Sequence, residues 1–129
     1  LLRSAKINSR VSSYSSVPGI RSLLLGYQQS QLKLAQDNNF AGIVMEGRDI
    51  GTVILPEADL KLFLTANESI RNLRRIQDGE TDQIAVRDRL DSSRKIAPLT
   101  ESTDSIILDT SVLSIEDVLS RVSQLIHNL

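Results

Sequence analysis

Arg48 and Asp49 stand between Gly47 and Gly51, directly after the apolar run Gly42-Ile43-Val44-Met45. A carboxylate accepts hydrogen bonds and a guanidinium donates them in a planar fork. At the end of a strand such a pair can hold a polar ligand at a pocket rim, with the glycines permitting close backbone approach or unusual dihedrals. The same two residues can also form an exposed loop ion pair of little energy. Arg87, Asp91 and Arg94 follow at offsets of four and three, which puts them on one helical face where Asp91 can orient either guanidinium while leaving others for a ligand. A solvated helix with ordinary charge pairs has that spacing too. Arg71, Arg74 and Arg75 form another one-sided cluster, and the two groups flank a polar turn containing Gly79 that can act as a lid over phosphates. Of the 15 basic side chains eleven are Arg, the fork suited to phosphate and carboxylate, so the chemistry on offer is local anion binding.

Composition narrows the classes. With 129 residues, 40% of them apolar, one modest domain with its own core is expected. The net charge of −1, from 15 basic and 16 acidic residues, provides no global field for nucleic acid or an anionic membrane. There is no cysteine and a single histidine, His127, so neither a disulfide framework nor a zinc site is expected. No apolar run approaches the ~20 residues of a membrane span, and Leu1 does not open a signal peptide, so a soluble cytoplasmic protein is expected. The missing initiator Met suggests a fragment or an incomplete reading frame, although processing can also remove it.

The elements that must position these residues alternate between strands and helices. Ile7, Val11 and Tyr14 have helical spacing. Val17-Pro18-Gly19 starts a further helix whose stripe is Ile20, Leu23, Leu24, Tyr27, Leu32 and Leu34, and Asp37-Asn38-Asn39 ends it. Gly42 to Met45 reads as a strand covered on both faces, Asp59 to Thr65 as a second strand, and Asn67 as the cap of a helix carrying the first arginine cluster. After the polar turn, Gln83 to Ser92 can be helical until Pro98 interrupts, and Ser105 to Asp109 is a third strand. Ser114-Ile115-Glu116-Asp117 caps a last amphipathic helix with Ile115, Val118, Leu119, Val122, Leu125 and Ile126 on its apolar face. Short strands alternating with helices imply an α/β layered architecture.

A series of motifs runs in order through the chain: Val11-Ser12, Pro18 with Ile20-Arg21, Gly47-Arg48-Asp49-Ile50-Gly51-Thr52-Val53, Lys61-Leu62-Phe63-Leu64, Arg74-Arg75, Arg87-Asp88 with Asp91 and Arg94, Ala97-Pro98-Leu99, and Asp109-Thr110 with Leu113-Ser114-Ile115. In that order they resemble the bacterial cytidylate kinases, over nearly the whole chain. The resemblance implies a P-loop nucleoside monophosphate kinase-like fold, a parallel sheet with flanking helices, and transfer of a phosphoryl group from ATP to CMP or dCMP with Mg²⁺ on the donor phosphates. It also implies roles. Ser12, Arg21 and Asp49 look like the cytosine-reading residues, Arg87 and Asp91 like those meeting the ribose and phosphate region, and Arg48 and Arg94 like catalytic phosphate ligands. Arg74 and Arg75 would supply lid contacts to ATP. The assignment suits cytosine, whose exocyclic amine can donate to a carboxylate while its ring nitrogen and carbonyl accept from a guanidinium.

The chain departs from the family in two places. It contains no G-x-x-x-x-G-K-[ST] segment, the loop that would cradle the ATP phosphates, and the stretch between Arg75 and Arg87 is shorter than is usual for the family. The expectation is therefore a partial, N-terminally truncated cytidylate kinase-like domain over 1–129, with 1–34 a remnant of the CMP-binding helical region and 67–95 a shortened lid. Catalysis by this chain alone is not expected, and self-association through an exposed sheet edge is. The full-length form is expected to be a monomer whose partners are CMP, dCMP and ATP, with no nucleic acid or membrane. Two other readings stand beside it: a truncated, non-catalytic pyrimidine-nucleotide-binding or regulatory protein, and an interaction domain whose Arg-rich helices meet an acidic protein surface.

Overall fold

A computed structural model describes residues 10, 14, 17–79, 93 and 99–129. The expected helix before Ser16 and the segment from Gln83 to Pro98 lie almost wholly outside the described residues. Helix α1 spans Pro18–Asp37 and begins where the sequence predicts. Val17 is extended (φ −79°, ψ 118°), as a residue before proline prefers, and Pro18 occupies the first turn, where a missing amide costs nothing. The helix ends in a Schellman motif. Asn39 adopts φ +54°, its N–H reaches the Gln36 carbonyl at 3.0 Å, and the Phe40 N–H reaches the Ala35 carbonyl at 3.0 Å.

A five-residue π-helical turn, Ile50–Ile54, follows. Strand β1 (Leu62–Thr65) then leads into helix α2 (Glu68–Gln77), and strand β2 (Ile106–Asp109) leads into helix α3 (Ile115–His127). The strands pair in parallel with Leu62 opposite Ile106 and Thr65 opposite Asp109, so their carboxyl ends lie side by side. Both helices that leave those ends are capped as the sequence predicts. The Asn67 side chain accepts from the Ser69 amide at 3.3 Å, and Ser114 and Asp117 form a reciprocal capping box at 3.1 and 3.0 Å. Helix α2 ends at Asp78 with Gly79 at φ +74°, the left-handed conformation that glycine adopts without penalty.

One expected strand is not formed. Gly42 to Met45 is irregular backbone with Val44 94% exposed, and no ladder joins it to the sheet, which among the described residues has two strands. An apolar run becomes a strand only when a partner accepts its hydrogen bonds, and that condition is not local. The apolar stripe of α1 is likewise mostly uncovered: Leu23, Tyr27 and Leu34 are exposed. The buried apolar residues among those described are Ala35, Ile54 and Leu108, and α1 packs on the π-helical turn. No described helix is long and apolar enough to cross a membrane.

Candidate functional site

The π-helical turn is built around Asp49, which occupies its N-terminal cap. The Asp49 carbonyl accepts from the amides of Val53 at 2.9 Å and Ile54 at 3.2 Å, and the Ile50 carbonyl accepts from Leu55 at 2.7 Å. Such widened turns recur at functional positions because they re-aim side chains out of ordinary helical register. The flanking glycines serve close packing, since neither has a positive φ. A Cβ on Gly47 would lie 2.9 Å from both Cγ1 and Cδ1 of Ile50, and one on Gly51 would lie 3.3 Å from Lys61 Cδ.

Asp49 is paired with Arg21, one turn into α1 and 28 residues earlier, and not with its sequence neighbour Arg48. Arg21 Nη2 donates to Asp49 Oδ2 at 2.5 Å, and the two side chains are 17% and 16% exposed. The guanidinium and carboxylate are thus held together in a partly desolvated position, where charge-assisted hydrogen bonds are stronger than at the open surface. The loop ion pair that spacing alone allowed gives way to a long-range bridge between α1 and the turn. Arg48 lies beside it, half-buried. Ser12, Arg87, Asp91 and Arg94 lie outside the described residues.

At the carboxyl ends of the strands a second network surrounds Thr110, which is 8% exposed. Arg74 donates to the Thr110 hydroxyl at 3.0 Å and to its carbonyl at 2.5 Å, while the Thr110 hydroxyl and amide donate to the Thr65 carbonyl at 3.0 and 2.8 Å. Arg74 therefore ties the last turn of α2 to the sheet. Arg75 is half-buried on the same helix. Next to them Ser111 donates its hydroxyl and amide to Asp109 Oδ1 at 2.6 and 2.9 Å, holding that carboxyl below its ordinary value of 3.8.

Sequence reasoning assigned no role to a third cluster. Lys61 precedes β1, and its side chain is 8% exposed. Its ammonium donates to the Pro56 carbonyl and, at 2.6 Å, to Asp104 Oδ2. That hydrogen bond holds the Asp104 carboxyl below 3.8. The available signal was a lone lysine at the mouth of an otherwise apolar strand.

The Arg21–Asp49 bridge and the turn below it occupy the motif positions on which the resemblance rests, and the family model for cytidylate kinase matches residues 1–128. The chain belongs to the cytidylate kinase family. A cytidylate kinase from Acholeplasma laidlawii is 40% identical over 138 residues, which cover 98% of this chain and 60% of that protein. One from Rhodococcus opacus is 42% identical over 94% of this chain and 56% of its own length. One from Alkaliphilus oremlandii is 40% identical over 99% of this chain and 61% of its own length. The chain thus spans about three-fifths of the length of the curated cytidylate kinases it matches. For a member of this family the small parallel sheet with helices leaving its carboxyl ends is the expected frame.

Proposed function

We propose that this chain forms the acceptor side of a (d)CMP kinase, in which the γ-phosphoryl group of ATP passes to an α-phosphate oxygen of CMP or dCMP and the bond to the bridging oxygen of ATP breaks, giving ADP and CDP or dCDP. The observation that carries the reading is the Arg21–Asp49 bridge. Two side chains 28 residues apart meet at the positions where the family resemblance puts cytosine recognition. In this reading Asp49 accepts from the exocyclic amine of cytosine while Arg21 holds the carboxylate and donates to the ring acceptors. Uracil would present an oxygen to Asp49 in place of the amine, so the site penalises UMP.

The remaining roles follow the chemistry of phosphoryl transfer, which asks for positioning and for neutralisation of charge on the phosphoryl oxygens and not for a covalent intermediate. Arg48 and Arg94 are assigned to the phosphates, Arg87 and Asp91 to the ribose and phosphate region, Ser12 to the base, and Arg74 and Arg75 to the lid region at 67–95. The region 1–34 contributes the helical side of the acceptor site. Mg²⁺ arrives on the ATP phosphates as part of the substrate. No G-x-x-x-x-G-K-[ST] segment lies within these 129 residues, so the donor side and the complete activity, which we place in the cytoplasm, are assigned to the whole protein and not to this stretch.

Titration of the 129-residue chain with CMP and with UMP, followed by calorimetry or by amide shifts of Gly47 to Ile54, tests the reading. Selective binding of CMP that is weakened by Asp49→Asn is the expected result. Equal affinity for the two nucleotides, or a CMP affinity indifferent to Asp49→Asn, would overturn it. A coupled ADP-release assay on the same chain should show no turnover.

A further inference from the structure

We infer that Lys61 is a positioning residue for the nucleotide site, fixing from below the turn that presents Asp49. The inference rests on the acceptor-site reading for its consequence but on independent geometry for its cause. Lys61 sits at the amino end of the sheet, where its carbonyl accepts from the Ile106 amide at 2.9 Å and starts the register of the two strands. Its stem runs under Gly51, two residues beyond Asp49, where a Cβ on that glycine would lie 3.3 Å from Lys61 Cδ, a tight contact. Its ammonium then joins the Pro56 carbonyl, just past the end of the π-helical turn, to the Asp104 carboxylate before β2.

The turn is therefore held at both ends. Arg21 fixes Asp49 at its start and Lys61 fixes Pro56 at its finish, while the lysine stem supports the middle. Five residues with widened hydrogen bonding have little rigidity of their own, so the direction of the Asp49 carboxylate depends on these external supports. The clasp has one covered and one open side: the Lys61 side chain is 8% exposed and has two oxygen acceptors, while the Asp104 side chain is 60% exposed to water. A carboxylate that must distinguish an amine from a carbonyl tolerates little displacement, and that requirement links a lysine beneath the turn to base choice.

Lys61→Met keeps the stem beneath Gly51 and removes the ammonium. Hydrogen exchange on the full 129-residue chain should show the amides of Val53, Ile54 and Leu55 losing protection by about tenfold, the loss of one charge-assisted hydrogen bond, while Thr110 and Val118 keep theirs. In parallel, the preference for CMP over UMP should fall by about tenfold. Unchanged exchange in the turn, or an equal loss at Thr110 and Val118, would overturn the inference, the second because it would mark Lys61 as a general stability residue. Should Lys61→Met fail to fold, Asp104→Asn decides, since it removes the charge that anchors the same ammonium and should loosen the same three amides; protection at the wild-type level in that variant would equally overturn the inference. A wild-type chain that does not distinguish CMP from UMP would sink the cytosine reading, and the exchange measurement would still judge the role of Lys61.

Discussion

Removing either partner of the Arg21–Asp49 bridge should destabilise the fold, and removing both should cost less than the sum. The bridge is 2.5 Å long and its side chains are 17% and 16% exposed, which places it between two regimes. Fully exposed ion pairs contribute roughly 0–1 kcal/mol, whereas deleting one member of a buried pair costs about 3–5 kcal/mol because the other charge is left uncompensated. With about a sixth of each side chain still in contact with water, Arg21→Met or Asp49→Asn alone should cost about 1.5–2.5 kcal/mol. The double variant removes both charges of the bridge, so the coupling in a double-mutant cycle should be about 1–2 kcal/mol. For a chain of this size each single change corresponds to a melting temperature lower by about 5–10 °C. Thermal and urea melts of the four proteins, followed by circular dichroism, give the cycle directly. Additivity within about 0.3 kcal/mol would refute the reasoning, because it would mean that the two charges do not interact across the 28 residues that separate them.

Gly47→Ala should cost about 1–3 kcal/mol by forcing Ile50 off its contact, and Ile50→Ala in the same chain should recover part of that loss in a melt. Thr110→Val, which preserves volume but removes the hydroxyl shared by Arg74 and Thr65, should cost about 1–2 kcal/mol by urea titration, with exchange rising at the last turn of α2. Ser114→Ala removes a reciprocal cap and should cost about 1 kcal/mol, seen as faster exchange of the Asp117 amide. Asp104, Asp109 and Asp117 all titrate below 3.8 because Lys61, Ser111 and Ser114 hydrogen-bond their charged forms, so their stabilisation is present above that value and lost as pH falls through the lower folded values. Melting temperature should accordingly fall most steeply below about pH 4, and Asp104→Asn together with Asp117→Asn should flatten that fall.

Some of this was legible from residue order because its hydrogen bonds close within a few positions. Pro18 starting α1, Asn38 and Asn39 ending it, Asn67 capping α2, and the Ser114–Asp117 box were all determined by the sequence itself: each interaction joins residues two to five positions apart and does not depend on what the rest of the chain does. The family was legible for a similar reason, since its motifs recur in order along one dimension. The same reading failed where a partner had to come from afar. Gly42 to Met45 has the composition of a buried strand, but no strand pairs with it among the described residues, so the run stays irregular and Val44 remains exposed. Spacing alone offered Asp49 its neighbour Arg48; only the ordered motifs grouped it with Arg21, and the tertiary structure brings those two into contact. Lys61, a motif residue to which the sequence assigned no role, found Asp104 across 43 residues, and Arg74 found Thr110 across 36. Local propensity selects helix ends because the competing conformations differ by the hydrogen bonds of one turn. Which carboxylate meets which cation is settled only when α1, the π-helical turn and the paired strands pack, since the energy of an ion pair depends on the distance and desolvation that packing creates.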